Sequence, residues 1–347
     1  ASFSEPEASD LERANLEDVA ALGVAEHWLI APRDLQMGDA VVDGKGSFGL
    51  VFRTKLCGAT EVVVKLARPG VQGAYGALAD ELRLLRSVRH PNIVLFHGAA
   101  ITKLETELIL CLVLERVPGE DFGKFMTTRC TTGALRKDCG LGSDEKGSSR
   151  GPNVLLAEQR LLLDAALAMQ HLHGQHPPIL HRDLKPSNIL VDLTSIPHRA
   201  KVADFGLSAF PRNADLVGAA GIDNYMAPEV RKHQAHATPS DVYSFGCIAA
   251  AVLLAAEKLP GEKTPMAFGG APFKSSTLLG KDKVCDQLLP IHEVSTKCLA
   301  EDPSDRASFT DVYEVLRASV EPPRLEVSGP TFEKVPETPV VKQIVAL

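Results

Sequence analysis

The segment His181-Arg182-Asp183-Leu184-Lys185-Pro186-Ser187-Asn188 puts an acid, a cation and an amide on one short polar stretch. Two hydrophobic runs, Ile179-Leu180 and Ile189-Leu190-Val191, enclose it, which predicts a tight loop between extended segments. A carboxylate at Asp183 can take a hydroxyl proton. Lys185 can neutralise charge on a phosphoryl group in transfer. Asn188 and the carboxylate of Asp204, in Asp204-Phe205-Gly206, supply oxygen donors of the kind Mg²⁺ prefers.

Three features further upstream suit the same chemistry. Gly44-Lys45-Gly46-Ser47-Phe48-Gly49 spaces Gly44, Gly46 and Gly49 as G-x-G-x-x-G. Glycines remove side chains, so backbone N–H groups can approach phosphate oxygens. A dinucleotide-binding fold opens a helix at such a loop. Here Leu50-Val51-Phe52 continues as a strand, so the loop caps a β-hairpin, and read alone the string also fits a plain glycine turn. Lys65 ends a run of three valines. A cation on so apolar a strand wants an anionic partner. Glu81, on a helix between Leu78 and Leu85, is one candidate, although each charge taken singly also reads as solvated.

The pattern around these residues sets out the elements that must position them. Short strands are expected at 35–42, 50–56 and 61–67, a helix at 76–88 with Leu78, Leu82 and Leu85 on one face, then strands at 93–99 and 107–115. After Glu115 the pattern turns helical, with helices predicted at 155–174, 239–256, 291–299 and 309–318. Residues 123–153, rich in Gly, Ser, Thr and charge, are expected to be a long surface loop. Residues 1–32 form an acidic flank with loose helical spacing, Asp10 as its candidate N-cap, and 319–347 a Pro-containing tail. This predicts two unequal lobes and a ligand cleft near 115–119.

Composition narrows the classes. The 347 residues allow roughly two folding units at about 150 residues each, and 45% hydrophobic with 23% charged residues excludes wholesale disorder. A net charge of -7 without a basic block disfavours nucleic acid and anionic membrane as partners. No unbroken apolar run reaches the length of a membrane span, and the start ASFSEP lacks the features of a secretory signal. Seven scattered cysteines without a C-x-x-C pair predict reduced thiols in a cytoplasmic setting. A chain that starts at Ala1 is expected to be processed or a fragment.

The ordered set resembles the eukaryotic protein kinase domain, in its tyrosine-kinase-like serine/threonine group. The glycine loop precedes Val51, Val62-Val63-Val64-Lys65 stands at the V-A-I-K site, and Glu81 precedes His90-Pro91-Asn92-Ile93-Val94. Then come the H-R-D loop, D-F-G, Ala227-Pro228-Glu229, the helix motif Asp241-Val242-Tyr243-Ser244-Phe245-Gly246, and Arg306 as partner for Glu229. The resemblance implies an α+β bilobal fold over 33–318. Its small lobe, 33–117, would hold five strands and the family's helix C; its larger, mainly helical lobe would be 118–318. It implies ATP and Mg²⁺ as cofactors and a protein substrate with a Ser/Thr acceptor, the latter from the Lys-Pro-Ser after Asp183. Lys65, paired with Glu81, would hold the α/β-phosphates, with Gly44, Gly46, Gly49 and Val51 over the nucleotide. Asp183 would be the base, Lys185 would assist at the γ-phosphate, and Asn188 and Asp204 would hold the metal. Glu115 and Val117 would bond adenine through backbone groups, with Leu114 as gatekeeper and Leu190 beneath the ring.

The chain also departs from the family pattern. Asp43 stands where an apolar residue is usual, Val63 replaces a small Ala, and Ile222 replaces a Thr. Between Ser208 and Tyr225 the activation segment has no Ser or Thr, although Arg182 is there to meet a phosphate, so loop phosphorylation is not expected to switch the protein. The alternative reading is a pseudokinase scaffold or nucleotide-binding module. Retention of Lys65, Glu81, Asp183, Asn188 and Asp204 favours the enzyme. A small-molecule kinase is disfavoured by the A-P-E segment.

Overall fold

Five strands build one antiparallel sheet: β1 (Val41–Lys45), β2 (Gly49–Leu56), β3 (Thr60–Ala67), β4 (Phe96–Leu104) and β5 (Glu107–Glu115), in the order β1-β2-β3-β5-β4. The computed structural model describes residues 8–37, 40–45, 49–67, 74–104, 107–132, 157–206, 208, 223–257, 278 and 284–320. The tail 321–347, Cys139, Gly46 and Ile222 lie outside them. Alternation along β3 sends Val62, Val64 and Leu66 into one cluster with Cys111 and Val113, and leaves Val63 and Lys65 on the opposite face. Helix α2 (Ala74–Leu85) covers that opposite face with Leu78, Leu82 and Leu85.

Two strand starts differ from expectation. Residues 36, 37 and 40 are not strand, and Leu35 meets Leu56 in a single bridge. The 3-10 turn Pro32–Asp34 sets that segment's direction, and Asp34 O takes the Cys57 N–H at 2.7 Å. The fourth strand starts at Phe96 rather than 93, because Asn92 and Val94 bond across to Val202 instead (Val202 N to Asn92 O 2.8 Å; Val94 N to Val202 O 3.0 Å).

The larger lobe carries a small sheet, β6 (Gly119–Asp121), β7 (Ile189–Asp192) and β8 (Arg199–Val202). Around it stand helices α3 (Phe122–Thr131), α4 (Ala157–His173), α5 (Pro228–Arg231), α6 (Thr238–Glu257), α7 (Leu289–Cys298) and α8 (Phe309–Val320). Helix α3 corrects the expected loop, whose opening residues are helical. Asp121 caps it by accepting from Lys124 N at 3.0 Å, and Phe122, Phe125, Met126 and Cys130 are buried. Residues 133–153 lie outside the described set. Helix α4 ends as expected at Gly174.

Helix α6 is the one helix, among the described residues, long and apolar enough to cross a membrane by length and composition. Its Phe245, Ile248, Ala249 and Val252 are fully buried in the large-lobe core. The six cysteines among the described residues form no disulfide with one another. The N-terminal flank is a helix, α1 (Ala8–Ala25). It starts before Asp10, which therefore lies inside it rather than at its cap, and Leu16 is buried against the small lobe.

Candidate active site

Lys65 faces α2, and its Nζ lies 2.6 Å from Glu81 Oε2 and 2.6 Å from Asp204 Oδ1. Leu78 and Leu82 turn the same helix face inward, so Glu81 is carried into the interior, where it is 1% exposed. Its second oxygen accepts from Phe205 N at 3.3 Å. One cation thus joins the sheet, the helix and the D-F-G segment. Burial works against the Lys65 charge, but Glu81 and Asp204 outweigh it and hold the ammonium above the usual lysine range. Burial pushes the Glu81 carboxyl up, with Lys65 opposing and Asp204 reinforcing the rise. Burial also raises Asp204, yet Lys65 more than reverses it and leaves that carboxyl below the usual range.

The loop between α4 and β7 holds the second group. Asp183 Oδ2 accepts from Lys185 Nζ at 2.5 Å and from Asn188 Nδ2 at 3.2 Å, and Asn188 Nδ2 also donates to Asp183 O at 2.8 Å. Asn188 O accepts from Ala203 N at 2.9 Å, which seats Asp204 beside the loop. Arg182 and Asp204 have left-handed backbone, φ 66° and 64°. Such strain costs about 1–3 kcal/mol at each residue and persists where surroundings over-determine it.

Asp241 supplies that determination at Arg182. The carboxylate is buried near the start of α6 and accepts from His181 N and Arg182 N, each at 2.9 Å, with His173 Nε2 also at 2.9 Å. Burial raises its carboxyl, but His173 and His181 hold it below the usual range. The sequence marked Asp241 only as part of a helix motif. A lone acid ahead of an apolar helix was the available signal. Glu229 and Arg306 pair as expected, in a two-pronged contact of 2.7 and 2.8 Å.

The residues expected to face a nucleotide are placed less completely. Gly44 pairs with Val51 between β1 and β2, next to a bulge, Val51 faces Lys65 across β2 and β3, and Gly49 opens β2. The Asp43 side chain lies outside the described set, and Val63 is half-buried opposite Leu114. Val117 and Leu190 pack on the main core at the junction of the lobes. Glu115 is bonded through both its backbone and its side chain. Its N–H is donated to Leu95 O at 2.9 Å, and its carboxylate takes Leu95 N and Lys201 Nζ, each at 2.7 Å. Its amide is therefore committed within the protein.

The donors fit a magnesium–nucleotide complex. Asp204 and Asn188 would provide two hard oxygen ligands, and no cluster of three or more His, Cys, Asp or Glu suited to a metal occurs among the described residues. Such a pair suits a cation that completes its shell with phosphate oxygens and water, as Mg²⁺ does. When bound, the ion neutralises charge on the phosphates.

Comparison with known proteins agrees with this geometry. The protein kinase domain family matches residues 41–316. Serine/threonine-protein kinase VIK of Arabidopsis thaliana is 30% identical over 305 residues, covering 83% of this chain and 61% of the relative. Receptor-interacting serine/threonine-protein kinase 3 of Rattus norvegicus is 32% identical over 281 residues, covering 77% and 53%. Dual specificity protein kinase splA of Dictyostelium discoideum is 28% identical over 317 residues, covering 85% and 12%. The chain spans less than two thirds of the length of these relatives. With the family match running from β1 into α8, and the Lys65 pair joined through Asp204 to the segment bonded to Asn188 of the acid loop, the chain belongs to the protein kinase family.

Proposed function

We propose that this chain is an ATP- and Mg²⁺-dependent protein serine/threonine kinase acting in signalling within a reducing, cytoplasmic compartment. The catalytic unit would be 33–318, with 1–32 and 319–347 as flanks. The observation that carries the reading is the meeting of Lys65, Glu81 and Asp204 beside the Asp183-Lys185-Asn188 cluster.

In the proposed reaction, the acceptor hydroxyl oxygen forms a bond to the γ-phosphorus while the β–γ bridging bond breaks and ADP leaves. Asp183 takes the hydroxyl proton. Lys65 and Lys185 stabilise charge on the phosphoryl oxygens. Glu81 fixes the Lys65 ammonium, and Asp204 and Asn188 hold the metal. Backbone groups at Glu115 and Val117 and the side chains of Val51 and Leu190 enclose the adenine.

The test is transfer from γ-labelled ATP to a mixed set of Ser, Thr and Tyr peptides, followed by phosphoamino-acid analysis. Phosphoserine or phosphothreonine is the expected product. Phosphotyrosine alone would overturn the acceptor assignment, and no transfer at all would overturn the enzyme.

Residues 209–224 offer no hydroxyl to receive a phosphate. Complete phosphatase treatment is therefore expected to leave transfer to peptide within about twofold of the untreated rate. A dephosphorylated chain that is inactive and recovers on rephosphorylation would contradict this.

A further inference from the structure

Glu81 sits on a helix that is held to its sheet by side-chain packing, and a second element braces that helix from outside. Residues 28–30 run beside β4 as an added edge: Ala99 N donates to Trp28 O at 3.0 Å and Ile30 N to Ala99 O at 2.8 Å. Gly98 permits this, because a Cβ there would stand 2.4 Å from Trp28 O. Gly23 of α1 permits the next contact, since its Cβ would stand 2.7 Å from Trp28 Cζ3. The buried Trp28 ring packs on Phe96, centroids 6.4 Å apart, and donates from Nε1 to Glu26 Oε2 at 2.8 Å. The Glu26 carboxylate in turn pairs with Arg86. Arg86 continues the last turn of α2, its N–H on Leu82 O at 3.1 Å. Trp28 and Leu82 also line one groove between α1 and α2.

We propose that Glu26 and Trp28 are positioning residues for phosphoryl transfer, acting through Arg86 and Leu82 to hold α2 where Glu81 meets Lys65. The catalytic pair needs sub-ångström placement, and a side-chain-packed helix with one outer face open has freedom to slide. The bridge Trp28–Glu26–Arg86 ties that face to a segment anchored on the sheet. The coupling is reciprocal: what loosens the pair disturbs Trp28, and what loosens the brace disturbs the pair.

The inference rests on the kinase reading for its activity arm, and Trp28, the single tryptophan of the chain, supplies an arm that needs no turnover. In the full chain, Glu26→Lys is expected to lower kcat about three- to fivefold, with KM for ATP nearly unchanged, as fits a partly exposed ion pair. The swap Glu26→Lys with Arg86→Glu restores the ion pair but not the acceptor for Trp28 Nε1, and is expected to recover part of the lost kcat. Separately, Lys65→Met is expected to shift the tryptophan emission maximum to the red with the melting temperature little changed. A kcat for Glu26→Lys equal to wild type, a swap that does not recover, or superimposable emission spectra would each overturn the brace. A chain without any transfer activity would instead remove the kinase reading, and the emission arm would still decide whether α1 and the pair are linked.

Discussion

Asp183→Asn is expected to slow transfer of the γ-phosphoryl group by roughly 10²–10⁴-fold, the usual contribution of a positioned general base. The substitution is nearly isosteric. Its amide oxygen can still accept from Lys185 and Asn188, which now donate to Asp183 Oδ2 at 2.5 and 3.2 Å. What is lost is a group that can take the hydroxyl proton. The neighbouring constraints do not involve the carboxylate: Arg182 stays pinned by Asp241, and Asn188 keeps its 2.8 Å bond to Asp183 O. The melting temperature is therefore expected to stay close to wild type. Single-turnover transfer to a peptide with labelled ATP measures the effect, and equal rates in the two proteins would remove Asp183 from the chemistry.

Lys65→Met is expected to cost roughly 10²–10³-fold in the same assay, the scale seen on removing one fixed electrostatic donor. Its effect on the fold is smaller. Taking one partner from a buried pair costs about 3–5 kcal/mol when the other charge is left stranded. Glu81 has an escape, because burial and Asp204 already push its carboxyl up and the loss of Lys65 lets it bind a proton. Asp204 is 41% exposed and keeps water. Met fills the volume of the lysine stem between β2 and α2. A calorimetric melt with one cooperative transition is the expected result. Global unfolding of this variant would make Lys65 a structural residue rather than a catalytic one.

The parts legible in the sequence are those whose chemistry is local. His181 to Asn188 contains its own acid, cation and amide, and their contacts span five residues or fewer. Lys65 was legible from strand alternation beside three valines. Glu81 was legible from the leucine spacing around it. Helix α3 was hidden for a different reason: the Gly, Ser, Thr and charge of 133–153 dominated the window, although the Asp121 cap and the Phe122-Phe125-Met126 face were present.

The sequence by itself determined the candidate reacting groups, the lobes they come from and the order of the strands along the chain, because hydrophobic period and residue type act over a few positions. The tertiary structure alone decided that one ammonium is shared by carboxylates 16 and 139 residues away. It alone decided that Asp241 holds a loop 60 residues upstream, that Glu115 spends its amide on Leu95, and that Trp28 braces the helix of Glu81. Those pairings arise from burial. A charge or polar group removed from water must find whatever partner packing brings near, and sequence distance has no bearing on which partner that is.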